Sequence, residues 1–201
     1  MVRVRPHAAL DGPELARRMR VRDCDEVWAS DHQIPLEAIE VACCVSEFVR
    51  TIVIDGEVAA MFGVRAIRPE VGIIWLLTTD TVDRKPCAFW RTMRTELLRL
   101  LRVYPALANM VDARYTQAVE SLRRVGFTVH PAEPYGEDGL PFHFCVIRRS
   151  NANCTGASAQ GGRVEDGQER KTEEAQGRYL ERGARPLRIR HPQKERLEAA
   201  T

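Results

Sequence analysis

The chain is 201 residues long, 44% hydrophobic and 29% charged, which suits one ordinary domain with an appendage and excludes a large multidomain machine, a fibre and a wholly disordered chain. Thirty Lys and Arg against twenty-eight Asp and Glu leave a net charge of +2, too little for electrostatics alone to bring the protein to nucleic acid or an anionic membrane. The longest apolar run, around Gly72 to Leu77, is far short of the roughly 20 residues a bilayer crossing needs, and the segment from Met1 to Pro6 has no secretory apolar stretch. The sequence therefore reads as cytoplasmic, with no membrane span. Six cysteines, Cys24, Cys43, Cys44, Cys87, Cys145 and Cys154, form no CxxC pair and are expected as buried free thiols in a reducing compartment.

Along the chain, Val2 to Pro6 alternates charged and apolar residues and predicts a first strand, stopped by the proline. Asp11 as N-cap, Pro13 in the first turn and Glu14 behind it predict a helix through Arg20, followed by a short helix near Asp25 to Ser30. Pro35 opens a third helix through about Glu47, with Ile39, Cys43 and Val45 or Ser46 on its apolar face. Two strands, Phe48 to Asp55 and Glu57 to Ile67, flank an Asp-Gly turn, which is a strong hairpin signal. Val71 to Thr79 is almost wholly apolar and predicts a central strand covered on both faces, completing a three-stranded antiparallel meander.

From Ala88 to Tyr104 the residues Phe89, Met93, Leu97, Leu100, Leu101 and Tyr104 recur at helical spacing until Pro105 ends the run. Leu107 to Asp112 is a short strand, and Tyr115 to Val125 is a helix closed by Gly126. Phe127 to His130 starts another strand, Pro131 to Pro141 reads as a turn-rich loop, and Phe142 to Ile147 is the last strand. Composition changes after Arg149. Between residues 150 and 201 only Val164, Tyr179, Leu180, Leu187, Ile189 and Leu197 are large and apolar, so burial cannot offset the entropy of ordering. The expectation is a folded domain over 1–149 and a disordered polar tail over 150–201, with at most a marginal helix around Lys171 to Glu181.

The element order and the segment Tyr115 to Phe127, with Ala118, Leu122, Gly126 and Phe127 in place, resemble the N-x-x-A-x-x-x-Y-x-x-x-G-F helix and strand of Gcn5-related N-acetyltransferases. The resemblance implies an α/β fold with a mixed, mostly antiparallel sheet flanked by helices. Trp75 to Asp80, the helix ending at Tyr104 and Pro105, Asn109 to Asp112 and Leu122 to Phe127 are also similar to the internal virion protein A family of short-tailed phages, small acetyltransferase-like proteins needed for virion assembly. That second resemblance implies phage virion or assembly proteins as partners, and the host cytoplasm or the particle as location.

In the acetyltransferase family the pyrophosphate of acetyl-CoA rests on backbone amides of a Q/R-x-x-G-x-G/A turn at a helix N-terminus. The corresponding segment is Arg84 to Phe89. Arg84 matches, Cys87 and Phe89 replace the two small positions, and Pro86 brings no amide donor. If acetyl-CoA binds, the resemblance assigns Leu77, Thr78, Arg84 and Lys85 to it; the plainer reading makes Arg84 and Lys85 solvated charges ahead of a helix. The family's asparagine is Tyr115 here, and its general-acid tyrosine is Leu122, which has no proton to give. Tyr115 lies two helical turns from that position, about 10 Å along the axis, and is read as packing. No catalytic residue is assigned.

The remaining candidates have plain readings. Asp31 and His32 are adjacent and do not face one another on a helix, His143 has no second metal ligand in view, and Cys87 near Arg84 and Lys85 is a default cytosolic thiol. No metal is expected. The basic run Arg17 to Arg22 lacks interleaved aromatics, and the flanking acids Glu181, Glu195 and Glu198 dilute the cluster Arg185 to Arg196, so nucleic acid is not an expected partner. Two functions follow. The first is a non-catalytic virion or morphogenesis protein acting through protein contacts, with no cofactor and a closed gap between the strand at Leu76–Thr79 and that at Leu107–Asp112. The second is an acetyl-CoA-dependent N-acetyltransferase with a degenerate pyrophosphate loop, for which an acyl-CoA thioester is the cofactor and the gap stands open.

Overall fold

The computed structural model describes residues 1–149; the expected tail, Cys154, the helix near Lys171 and the Arg185 to Arg196 cluster lie outside the described residues. The chain runs β1 (Val2–Pro6), α1 (Asp11–Arg18), α2 (Val21–Asp31), α3 (Pro35–Val45), β2 (Phe48–Ile54), β3 (Glu57–Arg68), β4 (Val71–Thr78), a 3₁₀ turn (Asp80–Arg84), α4 (Pro86–Val103), β5 (Ala106–Asp112), α5 (Thr116–Val125), β6 (Thr128–Tyr135) and β7 (Leu140–Arg148). The strands form one seven-stranded sheet in the order β1-β2-β3-β4-β5-β7-β6. Every pairing is antiparallel except β4 with β5. A parallel neighbour needs a crossover, and α4 supplies it across one face of the sheet.

The two faces are covered separately. Phe89, Met93, Leu97, Leu100 and Leu101 of α4 pack with Val119 and Val125 of α5 over Ile52, Phe62, Val64 and Ile74. On the opposite face Leu15 and Met19 of the α1 region and Ile39 of α3 close over Val58 and Met61. Alternation along β3 sends Met61 to one layer and Phe62 to the other, which is why this strand is buried from Val58 to Val64. The Asp-Gly turn forms as expected, with Asp55 at φ 51° and Gly56 at φ 91°, the two left-handed residues of the tightest hairpin turn.

Several local expectations change. Asp11 does not cap α1. It is the first helical residue and is buried, where Arg5 grips it with two nitrogens at 2.5 and 2.7 Å while the Ala8 N–H and Thr51 hydroxyl donate to it at 2.7 Å. It thus ties β1, α1 and β2 together. The helix near Asp25 begins four residues earlier, at Val21. The stretch from Pro131 to Pro141 is mostly strand: β6 continues through Pro131 and Pro134 because it is an edge strand, where a missing N–H breaks no ladder, and a bulge between Val129 and Ala132 absorbs the mismatch. Among the described residues the thiols are not uniformly buried, since Cys44 and Cys87 are exposed, Cys24 and Cys43 are half-buried and Cys145 is buried.

Gly126 has φ 108° and lets the Phe127 N–H reach back to the Leu122 carbonyl at 3.0 Å, closing α5. Gly136, at φ 78° in the β6–β7 turn, is seated on the end of α2: a Cβ there would lie 2.2 Å from the Ala29 carbonyl oxygen. Replacing Gly136 with Ala is expected to lower stability by about 2–4 kcal/mol in urea unfolding, the sum of backbone strain and a clash with main chain that cannot rotate away.

Candidate functional site

β4 and β5 begin as neighbours and then part. Only Val71, Gly72 and Ile73 pair with Ala106, Leu107 and Ala108. The Thr79 N–H donates to the Ala59 carbonyl on β3 at 2.8 Å, so the odd-numbered residues of β4 turn their backbone groups toward β3, while Ile74, Leu76 and Thr78 turn theirs toward β5. Beyond Ile73 those groups face an open gap. It holds a cavity of about 140 Å³ walled by Leu76 and Thr78 of β4, Asn109 and Val111 of β5, Phe89 and Trp90 of α4, and Ala118 and Leu122 of α5.

The junction between α1 and α2 enters this gap. The Arg20 N–H donates to the Thr78 carbonyl at 3.1 Å, and Asp23 accepts from both the Thr78 N–H and the Thr78 hydroxyl at 2.7 Å. Asp23 is buried, and removal from water holds its carboxyl above the ordinary range despite the two Thr78 donors. One turn further along α2, Glu26 also faces the cavity. Burial first, then the nearby carboxylates of Asp23 and Asp112, push Glu26 up to about 8. Arg114 does not relieve it, because its guanidinium is committed to Asp112 at 2.5 to 3.0 Å.

At the other end of the cavity Arg20 meets Tyr115. The Arg20 guanidinium forms an ion pair with Asp83, lies 3.5 Å from Asp80 and points a nitrogen 3.5 Å from the Tyr115 hydroxyl. Arg22 stacks its guanidinium over the Tyr115 ring at 5.2 Å. Burial and the Asp23 charge raise the Tyr115 hydroxyl above its ordinary value, with Arg20 and Arg22 opposing. The sequence reads Tyr115 as packing; in the fold it lines the cavity, with its hydroxyl 3.5 Å from an Arg20 nitrogen.

Of the four residues that the sequence reading offers to a cofactor, Thr78 lines the cavity and Leu77 faces the α1–α3 layer. Arg84 and Lys85 direct their charges beyond β3: Arg84 bonds Glu57 at 3.0 Å and Lys85 bonds Asp55 at 2.7 Å, so neither is merely solvated. Phe89 does not fill the turn ahead of α4. Its side chain is 1% exposed and forms the floor of the gap, leaving the first-turn amides of Cys87 and Ala88 outside the helix's own bonding. Among the described residues no group of three His, Cys, Asp or Glu is arranged for a metal, and no helix is long and apolar enough to cross a membrane. His143 bonds the His130 carbonyl at 2.7 Å, and His32 lies 2.9 Å from Asp138 rather than engaging Asp31. Sequence reasoning missed Asp23 and Glu26. The available signal was charge pattern: residues 23–49 contain seven acids and no Lys or Arg.

No protein-family model and no curated protein matches the sequence. Solved structures match the fold. The chain is similar to AAC(6')-Ib in complex with ribostamycin and coenzyme A, with 16% identity, TM-score 0.60, and coverage of 79% of this chain and 99% of that one. It is similar to Ard1 from Thermoplasma volcanium, with 13% identity, TM-score 0.59 and coverage of 73% and 97%. It is also similar to the N-acetyltransferase from Staphylococcus aureus Mu50, with 14% identity, TM-score 0.55 and coverage of 75% and 99%. The fold is that of the Gcn5-related acetyltransferases, a mostly antiparallel seven-stranded sheet flanked by helices. The expectation of a protein with no cofactor is corrected by these neighbours, since AAC(6')-Ib carries acetyl-CoA in a second structure and coenzyme A in the first.

The elevated Glu26 carboxyl has a stability signature. An unfolded chain releases this proton near 4.5, the fold near 8, so the native state binds the extra proton between those values and stability falls across that window as pH rises. Glu26→Gln removes the effect: its unfolding free energy from urea titration is expected to match wild type at pH 5 and to exceed it at pH 8.5 by about 1–3 kcal/mol, allowing for solvent entering the cavity.

Proposed function

We propose that the protein is an acetyl-CoA-dependent acyltransferase that holds the acyl thioester arm in the gap between β4 and β5. The observation that carries this reading is the divergence of β4 from β5 after three paired residues, which leaves Leu76 and Thr78 of β4 on the wall of a cavity. An extended amide-bearing arm satisfies such an edge as an added strand would. Asn109 stands across the gap, and Val111, Leu122 and Phe89 provide apolar walls that exclude water from the thioester. When bound, acetyl-CoA supplies the activated acyl group.

The residues present fit the arm better than they fit the diphosphate. Pro86 offers no N–H, and Arg84 and Lys85 are held by Glu57 and Asp55. The cation that belongs to the cavity is Arg20, whose side chain is only 17% exposed and is shared among Asp83, Asp80 and Tyr115. In this reading Arg20 exchanges its carboxylate partners for phosphate oxygens, a trade of like charge-assisted bonds. The virion-assembly reading calls for a closed gap, and nothing in the fold comparisons favours it; the open gap and the neighbours with acetyl-CoA and coenzyme A favour the enzyme.

Calorimetric titration of the full chain with acetyl-CoA tests the proposal. A micromolar dissociation constant is expected, with Arg20→Ala weakening it by about tenfold or more and Arg84→Ala by less than about threefold, in line with the loss of one charge-assisted contact against a surface one. No heat at millimolar acetyl-CoA overturns the proposal.

A further inference from the structure

We infer that the protein reads its acyl donor as a phosphopantetheine thioester and no further: the arm and one phosphate are bound, and the nucleotide of acetyl-CoA adds no affinity. The inference rests on the acyltransferase reading above and deepens it by naming the donor class.

The turn ahead of α4 spends its amides on itself. Within the 3₁₀ turn the Val82 N–H donates to the Thr79 carbonyl at 3.2 Å, and the Lys85 N–H donates to the Val82 carbonyl at 3.3 Å. The Thr81 N–H donates to the Thr79 hydroxyl at 3.3 Å. Pro86 has no N–H, and the Phe89 N–H returns to the Lys85 carbonyl at 2.9 Å. A diphosphate cradle needs a row of N–H groups that face outward without other partners. Here that row is broken at Thr81, Val82, Lys85, Pro86 and Phe89, and what α4 still offers is the pair at Cys87 and Ala88.

Charge points the same way. Among the described residues Arg20 is the single Lys or Arg on the cavity wall. Arg84 shares Glu57 with Arg18, and Lys85 shares Asp55 with the N-terminal amine, so releasing either cation also exposes a carboxylate. Beside Arg20 stand Asp80 and Asp83, whose side chains are 88% and 66% exposed. One phosphate that takes their place at Arg20 exchanges like for like. The remaining phosphates of acetyl-CoA then meet the displaced carboxylates with no second cation in the cavity, and that repulsion offsets whatever contact the nucleotide gains. The arm, by contrast, has uncharged partners: Asn109 and Gln117 bring side-chain amides to the wall, and Val111, Leu122 and Phe89 bring apolar surface. Recognition ends where suitable partners end, at the first phosphate. The donor class is an acylated phosphopantetheine, whether its phosphate is esterified to a nucleotide or to the serine of a carrier protein.

Calorimetry on the full chain tests the assignment. Acetyl-phosphopantetheine is expected to bind within about fivefold of acetyl-CoA, and acetyl-pantetheine, which lacks the phosphate, about tenfold more weakly than either. Adenosine bisphosphate, the nucleotide end alone, is expected to give no heat at millimolar concentration. In Arg20→Ala the three thioesters are expected to converge, because the partner of the one phosphate is gone; the wild-type series decides the matter even where that variant fails to fold. A larger advantage for acetyl-CoA over acetyl-phosphopantetheine, or adenosine bisphosphate that competes with acetyl-CoA, reveals a nucleotide site and overturns the inference while the acyltransferase reading stands. Equal binding of acetyl-pantetheine and acetyl-phosphopantetheine overturns it as well, since no phosphate is then read. Acetylated carrier protein, titrated alongside, distinguishes the sources: tighter binding than acetyl-phosphopantetheine marks a protein-borne donor, equal or weaker binding a free one. Failure of every thioester to bind overturns the acyltransferase reading itself.

Discussion

A single threonine organises the cleft. Thr78 stands where β4 has already parted from β5, and its backbone N–H and carbonyl point into the space left behind. A strand edge of that kind, inside a protein, must find partners or lose the free energy of unmade hydrogen bonds. The α1–α2 junction supplies them through the Arg20 N–H and the Asp23 carboxylate. Because a carboxylate that accepts from an N–H and a hydroxyl is fixed in direction, α2 is fixed with it, and its next inward position, Glu26, faces the same space. Met19 adds an antiparallel bridge to Thr79, so the junction is stitched to the strand at Thr78 and at the residue after it. The gap is therefore filled at its rim and left open behind it.

Charge in the cleft follows from how the cations are allotted. Arg114 goes to Asp112, Arg5 to Asp11, and Arg20 to Asp83 and Asp80. Arg18 and Arg84 converge on Glu57, and Lys85 joins the N-terminal amine at Asp55, so the positive charge beside the 3₁₀ turn is neutralised by the β2–β3 hairpin. What remains at the α2 side is acidic and enclosed. In water two carboxylates a few ångströms apart cost little, but in a poorly solvated cleft the same repulsion is large enough to hold a proton on one of them near neutral pH. Asp23 has hydrogen-bond donors to spread its charge, whereas Glu26 has mainly a β5 backbone contact, and Glu26 is the one driven up to about 8.

Much of the frame was legible in the residues. Asp55 and Gly56 marked a hairpin because only left-handed conformers fit that turn, the spacing of Phe89 to Leu101 drew the face of α4, and Gly126 ended α5. The errors have specific causes. Pro131 and Pro134 read as loop because proline removes a ladder donor, yet an edge strand has a side with no ladder to lose. Asp11 read as a cap because it preceded a helix, but Arg5, six residues earlier, outbid the helix end for its oxygens. Asp23 and Glu26 were invisible because a short polar helix carries no periodic signal that separates a solvent-facing acid from one turned into a cleft; only contact with Thr78, fifty-five residues away in sequence, decides it.

The segment that carried the family resemblance turns out to report packing. Gly126 and the Phe127 N–H close α5, Val119 and Val125 anchor it in the core, and Ala118 and Leu122 form a smooth apolar wall of the gap. Those contacts require a small residue at 118, an apolar one at 122 and a glycine at 126 whether or not any proton moves. A motif of this kind fixes where a helix lies against a sheet, and the residue that does chemistry beside it can change without disturbing the frame. Leucine at 122 thus removes a hydroxyl from one wall while the cavity keeps two others to work with: the Tyr115 hydroxyl at the Arg20 end and the Glu26 carboxyl at the α2 end. The shape of the cleft is inherited from the sheet, and its acid–base character is set by α2.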